Sequence, residues 1–123
     1  MANLRIAIPT KSHNGLEDVV SEVFGRAKTF TIVDIEDGEV KKVEVIDNPA
    51  VSYKYGAGPV AVKTLADLGV NTVIAGELGP GASNLLEHYN IDRLLLKPNA
   101  RVADSIKENL AKFEAKKKTN LKI

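Results

Sequence analysis

Short β-branched apolar runs alternate with stretches of helical spacing along the chain. Leu4 to Pro9 is apolar and compact, the pattern of an interior strand that proline closes. Thr29 to Ile35 and Val40 to Ile46 alternate apolar and polar positions, and Asp37-Gly38 between them favours a tight hairpin. A three-stranded meander is therefore predicted, ended by Asp47-Asn48-Pro49. In the intervening loop, Glu17 to Val23 is read as a helical turn. From Pro59 to Leu68 the period becomes helical: Ala61, Leu65 and Leu68 share a face, Pro59 suits the first position, and Gly69 is the terminator. Thr72 to Ala75 is a strand. Ala82, Leu85, Leu86 and Tyr89 mark a second helix, capped by Gly79 and begun by Pro80. Arg93 to Leu96 is the last strand. Val102, Ile106, Leu110 and Phe113 line a third helix, where Glu108 and Lys112 form a favourable pair one turn apart.

An internal echo sets the topology. Gly58-Pro59-x-Ala61 recurs as Gly79-Pro80-x-Ala82, Leu65 as Leu86, Gly69 as Asn90, and Val70 as Ile91. Duplication and convergent helix punctuation remain alternatives. Both give two helix–strand units and hence parallel final strands. The element order is βββαβαβα, an α/β fold. With the first strand beside Thr72–Ala75, a five-stranded mixed sheet has the order 3-2-1-4-5. Its switch point then lies between those two strands, where open α/β sheets bind ligands beyond the strands' carboxyl ends. The loops Thr10–Arg26, Asn48–Gly58 and Gly76–Gly81 are expected to meet there.

Candidate chemistry at that edge is mostly backbone. Gly76-Glu77-Leu78-Gly79-Pro80-Gly81 leads from a strand into a helix, whose first turn offers unpaired N–H groups and a positive dipole end. Gly76, Gly79 and Gly81 let a ligand approach the main chain, or serve only to make the turn. The spacing is neither a phosphate loop nor G-x-G-x-x-G. Arg26 is a surface cation or an anion clamp. Tyr53 and Tyr55 flank Lys54 beside Gly56 and Gly58, either to stack on a ligand or to cap the domain edge.

The 123 residues suffice for one domain, taken as 1–115, followed by a basic tail, 116–123. The tail is read as solvated, with nucleic-acid contact the lesser alternative. A net charge of +1 provides no broad field to recruit nucleic acid. There is no signal-peptide pattern and no apolar run of membrane-spanning length, so no membrane partner and a cytoplasmic location are expected. The absence of cysteine excludes disulfides, thiolate nucleophiles and cysteine ligation of a cluster by this chain. His13 is a lone candidate metal ligand or base, or a plain loop residue; His88 falls in the last turn of its helix. The first strand carries no carboxylate for a metal-dependent nuclease, and no Ser-His-Asp set is evident. A non-enzyme is expected.

Several short motifs, in order, resemble one family. They are Ile6-Ala7-Ile8-Pro9-Thr10, Phe24-Gly25-Arg26-Ala27, Asn48-Pro49, Gly56-Ala57-Gly58-Pro59, Leu68-Gly69-Val70, and Ile74-Ala75-Gly76 with Gly79-Pro80-x-Ala82. Together they are similar to the dinitrogenase iron–molybdenum cofactor biosynthesis family, the small proteins related to NifX and to the C-terminal part of NifB. The resemblance implies a three-layer α/β/α, ribonuclease-H-like fold. It also implies binding or carriage of an iron–molybdenum or iron–sulfur cluster, or a precursor, rather than catalysis. The family often has Ser-Pro-His-Phe-Gly-Arg where this chain has Ser21-Glu22-Val23-Phe24-Gly25-Arg26. Histidines common after its Asn-Pro are replaced here by Ser52-Tyr53-Lys54-Tyr55. The residues carried over, Arg26, Gly56, Gly58, Gly76 and Gly79, with Gly81 from the same loop, would cradle an anionic ligand or cluster without ligating it. The alternative reading is a regulatory or assembly module that binds a protein partner, such as another assembly protein, through the same loops, with metal binding lost.

Overall fold

Strand alternation sorts the apolar side chains into two layers, one on each face of the sheet. The computed structural model describes residues 3–76 and 78–110. Its strands are β1 (Leu4–Thr10), β2 (Thr29–Glu36), β3 (Glu39–Asp47), β4 (Thr72–Ala75) and β5 (Asp92–Leu95). The helices are α1 (Ala57–Asp67), α2 (Pro80–His88) and α3 (102–110). The sheet order is β3-β2-β1-β4-β5, the order expected with the first strand beside Thr72–Ala75. β1 pairs antiparallel with β2 and parallel with β4, which is itself parallel to β5. The switch point therefore falls between β1 and β4.

On one face Ala7, Phe30, Ile32, Val73 and Ala75 pack with Ala61, Val62 and Leu65 of α1 and with Ala82 and Leu86 of α2. On the other, Ile6, Ile8, Val33, Ile35 and Ile74 pack with Val102 and Ile106 of α3. The result is three layers, α/β/α. The edge strand β3 is mostly exposed and carries Lys41 and Lys42, charges that blunt an edge against pairing with another chain.

Local signals shape the connections. Asp37 and Gly38 both take positive φ, 54° and 79°, as a two-residue primed hairpin turn requires. α1 ends at Gly69 (φ 78°) and α2 is followed by Asn90 (φ 57°). The Val70 N–H donates to Leu65 O and the Ile91 N–H to Leu86 O, at 3.1 and 2.8 Å. Both are Schellman closures.

Some expectations change. α1 begins two residues before Pro59, because Gly56 turns the chain at φ 72° and the glycine before proline accepts helical backbone. Leu68 and Tyr89, assigned to the apolar faces, lie past the helix ends and are exposed. The turn expected over Glu17–Val23 is a single 3-10 turn, Gly15–Glu17, followed by extended bridges of Val20 to Thr10 and Val19 to Arg101. The last strand starts at Asp92. Glu77, Lys112, Phe113 and the tail 116–123 lie outside the described residues.

Candidate functional site

The chain between β1 and β2 crosses the rim of the sheet, and its two halves serve opposite faces. Leu16 and Val20 pack in the α3 layer, whereas Phe24 and Ala27 pack in the α1–α2 layer. The loop Thr10–Arg26 thus does not reach the groove as a unit; only its second half does. On the α3 side the rim is closed. The Val20 N–H donates to Ala100 O, the Asn99 N–H to Val20 O, and the Val102 N–H to Asp18 O. Beneath them the buried Thr10 hydroxyl bonds those of Thr29 and Thr31, at 2.6 and 3.1 Å.

The α1–α2 side of the same rim is open. A groove of about 720 Å3 is walled by 22–26, by 54–59 and by Leu78, Gly79, Gly81 and Ala82. Phe24 anchors the first wall: its ring is buried edge-on against Phe30, with centroids 5.2 Å apart. Asn48 ties the first wall to the chain that leads into the second. Buried beneath them, it donates through Nδ2 to Gly25 O and Ala27 O, both at 2.9 Å, and its Oδ1 accepts from the Ala50 N–H. The contact between walls is tight at Gly25, where a Cβ would stand 2.7 Å from the Gly58 nitrogen. Neither role was assigned from sequence. Phe24-Gly25 and Asn48-Pro49 stand out as motifs, but nothing local reveals their contact.

The second and third walls are the N-termini of α1 and α2, packed side by side. A Cβ on Gly58 would lie 3.1 Å from Ala82 Cβ, and one on Gly81 would lie 3.2 Å from Pro59 Cγ. Each helix has glycine as its N-cap, Gly56 or Gly79, and neither has a capping side-chain hydrogen bond. First-turn N–H groups have no partner within a helix. A serine or aspartate cap would claim one of them; here none does. Gly79 has ordinary extended backbone (φ −66°, ψ 161°), and no atom lies within 4 Å of where its Cβ would be. Its bare Cα is therefore not required by its backbone conformation or by neighbouring atoms.

Charge at the groove is mixed, with Arg26 and Lys54 against Glu22. The Arg26 Nε donates to Tyr53 O at 2.9 Å, and a terminal nitrogen donates to Lys54 O at 2.5 Å. Of the residues singled out in the sequence, Arg26, Gly56, Gly58, Gly79 and Gly81 line the groove. Gly76 does not: a Cβ there would meet Leu96 at 2.9 Å, and its carbonyl accepts from Arg93. His13 lies apart, its Nε2 2.7 Å from Asp47 Oδ1 at the end of β3. Among the described residues no cluster of three or more His, Asp or Glu is arranged to hold a metal ion. A preassembled anion finds backbone donors and a guanidinium.

The family model for the dinitrogenase iron-molybdenum cofactor matches residues 3–116. The chain is 33% identical to the uncharacterized protein MJ0580 of Methanocaldococcus jannaschii, over 90% of this chain and 92% of that one. It resembles the apo form of the orange protein of Desulfovibrio gigas, with TM-score 0.77 and 29% identity over 87% of each chain. It likewise resembles a putative NifB protein from Thermotoga, with TM-score 0.71 and 31% identity over 86% of each. No helix among the described residues is long and apolar enough to cross a membrane.

Proposed function

The chain belongs to the dinitrogenase iron–molybdenum cofactor family, and from that premise we propose that it is a non-enzymatic carrier of an anionic metal cofactor or its precursor. The cargo is an iron–molybdenum or iron–sulfur species that arrives with its own ligand shell. It sits in the groove at the α1 and α2 N-termini, held by the first-turn amides of both helices, by the close approach that Gly56 and Gly79 allow, and by Arg26; Gly58 and Gly81 line the groove, but their bare Cα atoms let the two helices pack against each other. The single observation that carries this reading is the pair of glycine caps, which leave those amides unclaimed beside a groove. Gly76 and His13 have no part in it.

The test is Gly79→Ser. Serine is a better N-cap than glycine by a few tenths of a kcal/mol, so unfolding stability is expected to hold or rise slightly. The new hydroxyl would occupy the groove and take a first-turn N–H for itself. Binding of an anionic molybdenum–sulfur or iron–sulfur cluster, followed by its visible absorption during titration, should weaken by about tenfold, a loss of ~1.4 kcal/mol. Unchanged binding in the variant would reject the amide cradle.

A second reading, an assembly module that docks a protein partner at this rim, draws on Val23 and Tyr55, whose side chains are exposed at the groove mouth. It requires Tyr55→Ala to abolish partner binding while cluster titration stays as in the wild type.

A further inference from the structure

Residues 51–56 are all exposed, so burial does little to hold this stretch of the groove wall. Asn48 fixes the chain below it through the buried Ala50, and α1 begins just above it. Between these ends, the Tyr53 N–H donates to Ala50 O, and Arg26 grips the Tyr53 and Lys54 carbonyls from across the groove. A guanidinium has five N–H donors fixed in one plane. The two carbonyls engage its Nε and one terminal nitrogen. No other hydrogen bond of Arg26 is found among the described residues, and the side chain lines the groove. One rigid group thus has an edge pinned by the loop and donors to spare at the groove.

We propose that Arg26 couples anion binding in the groove to the ordering of residues 51–56. The inference rests on the groove reading above and adds a regulated wall to it. The carbonyls of Tyr53 and Lys54 hold the guanidinium in place, so the anion meets donors whose ordering cost has already been met. The anion in turn holds the guanidinium where the loop needs it. Coupling of this kind is reciprocal: whatever loosens the loop weakens the anion, and the anion tightens the loop. Lysine cannot substitute, because its ammonium is a point charge without a planar fork to span two carbonyls and a ligand.

Molybdate serves as the oxyanion probe, with retention measured by equilibrium dialysis and amide hydrogen exchange read over residues 51–56. In the wild type, saturating molybdate is expected to slow exchange there by at least about fivefold, the lower end of typical coupling between sites. In Arg26→Ala and Arg26→Lys the ratio of rates with and without molybdate should fall to near one. A purely structural strap would speed exchange in the variants equally with and without molybdate and leave that ratio unchanged, which would overturn the proposal. Faster exchange in the wild type on adding molybdate would overturn it too, by showing that anion and carbonyls compete. Retention without any slowing sinks the coupling alone. No retention by the wild type sinks the groove reading for oxyanions, and the coupling with it.

Discussion

Asp18 is a charge taken almost wholly out of water, 2% exposed. Burial by itself would raise its pKa. The backbone N–H groups of Asn14, Val19 and Ser12, with the Ser12 hydroxyl, outweigh that effect and bring it below the ordinary carboxylate value. The native state therefore binds its proton more weakly than the unfolded chain does. Stability from this group is complete above the unfolded carboxylate pKa and is lost as pH falls through the lower folded value. Asp18→Asn keeps the shape but turns one acceptor into a donor facing N–H groups. A loss of about 1–3 kcal/mol at neutral pH is expected. Thermal unfolding from pH 7 down to pH ~3 should show the gap between wild type and variant closing on the acid side. A gap that widens with acid would contradict the assignment.

At the scale of elements, the two helix–strand units end alike because the same local physics acts twice. Gly69 and Asn90 occupy left-handed backbone, and the apolar residues after them, Val70 and Ile91, fold back under the last helical turn. At Gly69 the space for a Cβ is ordinary, 3.5 Å from Arg5, so backbone conformation alone penalises a side chain. Gly69→Ala should cost about 1–2 kcal/mol, while Asn90→Gly should be neutral or slightly stabilising. Urea unfolding of the two variants separates these signs. Equal destabilisation by both would mean that Asn90 acts through its side chain instead. The helix starts are less alike. α2 begins at Pro80, where proline rules place it, whereas α1 reaches back to Ala57.

The molecule as a whole has one rim with two treatments. On the α3 side, bridges among 18–20 and 99–102 cover the strand ends. On the other side, walls 22–26 and 54–59 meet over the α1 and α2 N-termini and leave the groove between them. Asn48 ties the first wall to the segment leading into the second, beside the Arg26 contact with Lys54 and the packing of Gly25 on Gly58. Asn48→Ala would leave the Gly25 and Ala27 carbonyls without their side-chain donor, at a cost of about 1–3 kcal/mol. Asn48→Asp should be worse, because a carboxylate would face two carbonyl oxygens. Both variants should lose molybdate retention by more than their loss of stability explains, measured by dialysis at a temperature where each is folded. Retention intact in a folded Asn48→Ala would show that the first wall is not part of the site.

By itself the sequence settled whatever depends on neighbours along the chain. Alternation, helical period, Asp-Gly turn chemistry and glycine or asparagine terminators act over a few residues. They made the strands, the hairpin and the paired units legible, while the sheet order followed only on the supposition that the first strand lies beside Thr72–Ala75, which the tertiary structure bears out. The rim's division was decided only by tertiary packing. Nothing near Thr10–Arg26 announces that its halves part to opposite faces, that Gly25 must be bare because Gly58 lies across from it, or that Arg26 holds the carbonyls of Tyr53 and Lys54. Gly76 and Gly79 look alike in sequence, yet one is filled from above by Leu96 and the other opens on empty space. The reason is physical: these contacts join segments far apart in the chain, and their energies exist only once the sheet has brought the segments together.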